Sequence, residues 1–268
     1  MASGLIRALP RYLLLVAELV FRPNRAPVFV LGHQKSGTTA VAALLGGLTN
    51  QRVVLDLRRE ISDQIIPRIL RGEANLEELI QRNREEFSAP IIKHPNLTWL
   101  FSGLSERFPQ ARFVFVVRHP ADNIRSILDR LELTGTGAHL SAMEWHEMSP
   151  AWRTILGHGE TYSPNVDHLD ELARRWNAMV DIYLGNRTRM TLVRYEDFLN
   201  DKEGLIRRVA DSVGLAAKGD IRPLVNRQFQ PQGSHRFTPP EVFFGRDNLH
   251  RITEMCVGRM EVLGYGRA

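Results

Sequence analysis

The chain has 268 residues, 43% of them apolar and 24% charged, with 35 basic against 30 acidic side chains and a net charge of +5. That length buries one full α/β core, the composition is ordinary for a globular protein, and no internal repeat, low-complexity run or composition shift suggests a second domain. No basic run, zinc-ligand spacing or aromatic-basic motif accompanies the charge, so nucleic acid is not expected as a partner and a basic cleft for a polyanion is.

From the N-terminus, residues 5–22 are apolar with interspersed Arg7, Arg11, Glu18 and Arg22. The uninterrupted apolar stretch Tyr12–Ala17 is far shorter than the ~20 residues that span a bilayer, and no small-x-small cleavage site follows. Three readings stay open: a helix packed on the domain, an interfacial membrane helix giving peripheral membrane contact, and a disordered or processed arm. We divide the chain into a helical arm, 1–26, and one domain, 27–268.

Val28–Leu31 reads as a buried strand, and a helical run follows from Thr39 to Leu48. Between them lies Gly-His-Gln-Lys-Ser-Gly-Thr-Thr, residues 32–39. Strand, glycine-bearing loop and helix N-terminus together make an anion cradle, in which Lys35 supplies full charge and hydroxyls supply donors. The order is not that of Walker A, where Lys follows the second glycine. Further strands are expected at Val53–Leu55, Ile91–Ile92, Phe113–Val117 and Thr191–Val193. Helices are expected at Ile61–Leu70, Leu76–Arg84, Leu97–Arg107, Pro120–Leu133, Leu169–Leu184, Lys202–Val213 and Leu249–Leu263. This alternation predicts an α/β fold: a single domain with a central parallel sheet of about five strands flanked by helices. In such sheets ligands bind beyond the strand C-termini, where Lys35, Lys93, His94 and Arg118 fall. Two long irregular stretches, Thr134–His168 and Arg227–Asn248, read as lids over ligands.

The strand 113–117 ends in Arg118-His119-Pro120, where an NTPase would place an acid for Mg²⁺. A cation there suits anionic oxygens held without a metal. Histidines 139, 146, 158 and 168 show no metal-ligand spacing, so no metal is expected. Only four of the 35 basic residues are lysines, and two, Lys35 and Lys93, sit at strand ends; a compact ammonium is wanted there. The single cysteine, Cys256, excludes a disulfide framework, reads as a buried thiol, and fits a reducing, cytoplasmic setting.

KSGTT after a strand resembles the 5′-phosphosulfate loop of sulfotransferases that use 3′-phosphoadenosine 5′-phosphosulfate (PAPS). Arg118 through Ser126 resembles that family's 3′-phosphate motif: strand, Arg, one residue, Pro, then a helical Ser. Val193-Arg-Tyr-Glu-Asp197 and the ending Leu263-Gly-Tyr265 resemble its later motifs, so the likeness spans about residues 28–265. The resemblance implies a P-loop-containing fold, the assignment of 27–268 as a sulfotransferase domain, and PAPS as sulfuryl donor with no metal. It implies cofactor contacts from Lys35, Ser36, Gly37, Thr38, Thr39, Arg118, Ser126 and Tyr195, with Arg236 in the late loop. Lys35 would stabilise charge on the leaving phosphate oxygen. The acceptor proton would go to His94, in Lys93-His94-Pro95, or to Glu60. An aromatic that many cytosolic members carry after the loop is Ala40 here, so adenine stacking must come from elsewhere. The acceptor stays open among small molecules, glycans, lipid-linked species and peptides, with a hydroxyl or amine as receiving group. The rivals are a P-loop small-molecule kinase and a catalytically dead nucleotide- or membrane-binding module on the same fold.

Overall fold

A computed structural model describes residues 21–157, 161–230, 233–235 and 237–266. Its frame is a five-stranded sheet of β1 (Val28–Gly32), β2 (Val53–Val54), β3 (Ile91–Lys93), β4 (Arg112–Val117) and β5 (Met190–Arg194). All four pairings are parallel, in the order β2-β3-β1-β4-β5. The expected α/β sheet is therefore present, with each expected strand within two residues of its place.

The strands form because alternate side chains serve two apolar layers. Phe29 and Leu31 of β1 join Phe113, Phe115 and Val117 of β4 on one face, under helices Phe101–Arg107, Pro120–Arg130, His168–Gly185 and Arg246–Val262. Val28 and Val30 join Ile91, Val114, Val116 and Val193 on the other, under Thr38–Thr49 and Lys202–Ser212. Three phenylalanines around Phe29 lie at centroid distances of 5.5–6.2 Å, within the range of favourable aromatic pairs. Cys256 is fully buried in the first layer, and burial pushes its thiol up to about 12. It is a packing residue.

The connection runs from β1 past β3 to β2, whereas β4 lies on the opposite side of β1. The chain order thus reverses beside β1, and the crevice at the C-terminal edge opens there. Lys35 follows β1, Lys93 and His94 end or follow β3, Arg118 follows β4 and Tyr195 follows β5, all at that edge, and Ser126 lies on the helix after β4.

Several elements differ from expectation. The helix expected over Ile61–Leu70 is two helices, Arg58–Asp63 and Ile65–Leu70, separated by Gln64 in the left-handed region at φ 51°. Pro67 explains the break: lacking an N–H, it cannot sit inside a continuous helix but fits the first turn of a new one. Leu97–Arg107 begins earlier, as a 3₁₀ segment Pro95–Leu100 that becomes α-helix at Phe101. Tyr195–Asn200 is helical directly after β5. The stretch 134–168 contains helices Ala142–Glu147 and Pro150–Ile155, the first closed by a Ser141/Glu144 capping box. Of the arm 1–26, residues 21–26 have no regular structure, and Asn24 donates its backbone N–H to Phe87 O at 2.8 Å; residues 1–20 lie outside the described residues. Among the described residues no helix is long and apolar enough to cross a membrane.

Candidate active site

The loop between β1 and its helix is built on two glycines that tolerate no side chain. A Cβ on Gly32 (φ 133°) would stand 2.1 Å from Val116 O, and one on Gly37 (φ 90°) would stand 2.3 Å from the Tyr195 ring. Between them Lys35 holds a left-handed backbone at φ 63°, which costs a non-glycine residue free energy unless its surroundings fix it. They do. Asn123 donates to Gln34 O at 2.7 Å and to Ser36 Oγ at 3.1 Å, and Arg118 Nη1 donates to Lys35 O at 3.4 Å. Trp176 Nε1 in turn donates to Arg118 O at 3.0 Å. Below the loop, His33 is stacked on Trp176 and donates Nε2–H to the Trp176 carbonyl; burial pushes its pKa down to about 3, so it is a neutral support.

These constraints turn the first amides of helix Thr38–Thr49 toward a cleft of about 550 Å3, and no acid occupies that helix's first turn. Lys35, Gly37, Thr39, Arg118, Ser126 and Tyr195 line the cleft together. Ser36, Thr38 and Thr39 are buried in the loop and helix start. Burial depresses the Lys35 ammonium, and Arg130 and Arg118 depress it further against Asp129. The Arg118 guanidinium lies 4.9 Å from the centroid of Tyr195 and is likewise lowered, chiefly by burial. The cleft therefore concentrates positive potential at two places, the Lys35 loop and the Arg118–Ser126 end of the next crossover. Arg125 on the same helix is engaged by Asp122 and the Thr238 carbonyl, so its charge is already partnered.

The late segment closes one wall. Gln230 donates to Thr39 Oγ1 at 3.0 Å, and Asp129 accepts the His235 N–H at 3.1 Å. Phe229 and Phe237 both line the cleft. Arg236 lies outside the described residues.

The two candidate bases differ sharply in setting. His94, just past β3, is buried. Its Nδ1 lies 3.2 Å from Asp56 Oδ1, and Lys93 Nζ reaches both oxygens of the same carboxylate at 3.0 and 3.2 Å. The Leu57 N–H also points at His94 Nδ1, at 3.5 Å, a contact needing the opposite tautomer. The charge-assisted bond to Asp56 is the shorter and stronger, so Nδ1 carries the proton and Nε2 keeps its lone pair. Nε2 is buried without a hydrogen-bond partner. Burial lowers the His94 pKa, opposed by Asp56.

Glu60 is also buried, but its carboxylate caps the next helix. It accepts Ile65 N–H at 2.8 Å and Ile66 N–H at 3.1 Å. Burial outweighs these bonds and raises its pKa to about 7. A folded-state pKa above the unfolded one means stability is full below about 4.5 and declines as pH rises through about 7. Glu60→Gln retains the carbonyl acceptor, so thermal melts from pH 4.5 to 7.5 are expected to show a flatter pH dependence than wild type. Turnover is expected to stay largely intact; a near-total loss of activity in a folded Glu60→Gln enzyme would transfer the proton-accepting role to it.

Three contributors were invisible in the sequence reading. Asp56 meets His94 because Val54 pairs with Ile92 and both chains run two residues further. Arg175 joins Asn96 Oδ1 at 2.8 Å and Gln34 Oε1 at 3.4 Å, tying the loop to the segment after β3. Glu196 accepts the His119 N–H at 2.9 Å and the Tyr265 hydroxyl at 2.8 Å, joining the strand ends of β4 and β5 to the chain's last turn.

The chain is similar to known proteins in sequence and in fold. The mycobacterial omega-hydroxy-beta-dihydromenaquinone-9 sulfotransferases Stf3, from Mycobacterium bovis and Mycobacterium tuberculosis, are 28% identical over 153 residues. That match covers 54% of this chain and 33% of theirs, so the chain spans about a third of the length of the curated relatives it matches. Sulfotransferase STF9 from Mycobacterium avium superposes with a TM-score of 0.53 at 13% identity, covering 92% of this chain and 79% of that one. A sulfotransferase from Alicyclobacillus acidocaldarius gives 0.51 at 13% identity, covering 91% and 97%. At these identities the likeness is one of fold. The sequence match is more direct: residues 49–219, more than half of the chain, fit the Sulfotransfer_3 model of the sulfotransferase family. That span holds Arg118, Ser126 and His94, and the phosphate-loop geometry precedes it, so the protein is a member of the sulfotransferase family.

Proposed function

We propose that the protein moves a sulfuryl group from PAPS to an acceptor hydroxyl. One observation carries this reading: a single cleft brings together the Lys35 loop with the start of its helix and, from the next crossover, Arg118 and Ser126. A ligand carrying phosphate groups at both its 5′ and 3′ positions suits that set of donors. The fit is supported by the Gly37 cradle, where no side chain could stand between loop and Tyr195. PAPS would supply the sulfuryl group and a phosphate leaving group. Lys35 and the amides around Ser36–Thr39 would hold the 5′ end, and Arg118 and Ser126 the 3′-phosphate. Phe229, one of the aromatics lining the same cleft, would stack on the adenine, a role Ala40 cannot fill.

His94 Nε2 would take the acceptor O–H proton as the oxygen bonds to sulfur. The bridging S–O bond breaks and its electron pair goes to the 5′-phosphate oxygen, where the Lys35 ammonium stabilises it. A hydroxyl acceptor is supported by relatives named for an omega-hydroxylated dihydromenaquinone. A kinase reading is disfavoured by Arg118, which stands at the end of β4 where a Mg²⁺-binding acid would belong.

Calorimetry tests the two-site cleft directly. Hydrogen bonds to a charged group contribute about 1.5–3 kcal/mol each, so 3′-phosphoadenosine 5′-phosphate is expected to bind at least about tenfold more tightly than AMP. Equal affinities would refute the Arg118–Ser126 assignment. A screen of hydroxyl-bearing acceptors with ³⁵S-labelled PAPS then identifies the substrate.

A further inference from the structure

We propose that Asp56 is a positioning residue for His94, fixing its imidazole with Nδ1 protonated and Nε2 free, and that Lys93 holds Asp56 in place. The inference rests on the reading of His94 as the base. It begins with the sheet. Parallel pairing of Val54 with Ile92 carries Asp56 and His94 to the same level beyond the strands, on adjacent chains. Asp56 Oδ1 then stands 3.2 Å from His94 Nδ1. A carboxylate only accepts, so the imidazole must donate from Nδ1. The proton cannot be on both nitrogens of a neutral ring, and Nε2 is left as a buried acceptor with no protein donor. A buried acceptor without a partner is costly unless something else supplies its hydrogen bond. An acceptor hydroxyl arriving at the C-terminal edge of the sheet would supply it.

Lys93 completes the arrangement. Its side chain is 3% exposed, whereas that of Asp56 is 39% exposed. The ammonium spans both Asp56 oxygens, restricting the carboxylate that orients the ring. Burial alone would raise the Asp56 pKa, but His94 and Lys93 outweigh it and keep the carboxyl below its ordinary value. The groups facing His94 are thus one anion, Asp56, and one cation, Lys93, and they act on it with opposite signs.

The test is NMR of the full chain, with His94 assigned by loss of its signals in His94→Gln. In wild type, long-range ¹H–¹⁵N spectra of the neutral ring are expected to show Nδ1–H. Asp56→Asn is expected to lower the His94 pKa and to populate the Nε2–H tautomer, since a carboxamide can donate to Nδ1. Lys93→Met is expected to raise the pKa. A wild-type ring protonated on Nε2, or a His94 titration unmoved by either variant, overturns the proposal. If Asp56→Asn fails to fold, the wild-type tautomer and the Lys93→Met shift decide it. With an acceptor in hand, Asp56→Asn is expected to lower kcat by up to about 10⁴-fold, as wrong-tautomer substitutions do, at nearly constant KM for PAPS, and Asp56→Glu to recover part of it. A His94→Ala enzyme at the wild-type rate would refute the base assignment itself. A slow His94→Ala beside a wild-type-rate Asp56→Asn would refute only the role of Asp56.

Discussion

Replacing His94 by alanine is expected to slow the chemical step by about 10²–10⁴-fold, the range for losing a positioned general base. The imidazole acts only when neutral, so wild-type activity should rise with pH on the acid side and level off once His94 has lost its proton. Burial lowers the His94 pKa from its ordinary value despite Asp56. The rising limb is therefore expected below pH ~6.5, and in His94→Ala that limb should vanish. Binding of 3′-phosphoadenosine 5′-phosphate should survive, because His94, just past β3, is not among the residues lining the proposed cofactor cleft, which come from the segments after β1, β4 and β5 and from the late segment. Single-turnover rates across pH, with calorimetry alongside, separate lost chemistry from lost fold. An unaltered single-turnover rate would rule His94 out.

Lys35→Ala is expected to reduce kcat by about 10²–10³-fold, by analogy with removing one donor from a developing oxyanion. Cofactor affinity should change much less. In the proposed complex the helix amides would hold the ground-state 5′-phosphate and Arg118 with Ser126 the 3′-phosphate, whereas charge on the bridging oxygen would grow only as the S–O bond opens. The ammonium is poised for this because Arg118 and Arg130 crowd it with like charge. An incoming polyanion relieves that repulsion. Lys35→Arg is expected to be a poor rescue: a planar, delocalised fork cannot place one compact charge from a backbone held at φ 63°. Full turnover with a raised KM would reduce Lys35 to a binding residue.

Much of the frame was legible before any coordinates because parallel strands buried on both faces read as short apolar runs. Val28–Leu31 and Phe113–Val117 did so plainly, and what stands immediately after each, Lys35 and Arg118, was found with them. Relations across strands were not legible. Asp56 follows Val-Val-Leu and reads as a turn residue; only the pairing of β2 with β3 brings it to His94. Glu60 read as a helix-start carboxylate or a base, but its capping role depends on the reversal at Gln64 and on Pro67, whose helix-breaking effect deserved more weight. In the stretch 134–168 the Ser141-x-x-Glu144 pattern and Ser149-Pro150 are helix starts in plain sight. They were passed over because the surrounding glycines and aromatics suggested one long loop. The late loop was correctly singled out, but its contacts to Asp129 and Thr39 follow from the fold.

The Glu196 junction has a bearing on biosynthesis. Its carboxylate is held between the His119 amide and the Tyr265 hydroxyl, and the Tyr265 ring lies under Arg194 at 4.3 Å. Synthesis from the N-terminus makes the Lys35 loop long before Tyr265 is added to brace the strand ends that flank it. The nascent protein thus passes through a stage with a nearly complete sheet and an unfinished donor cleft. A released chain truncated just before Tyr265 is expected to resist proteolysis in its central strands and to bind 3′-phosphoadenosine 5′-phosphate more weakly than the full chain.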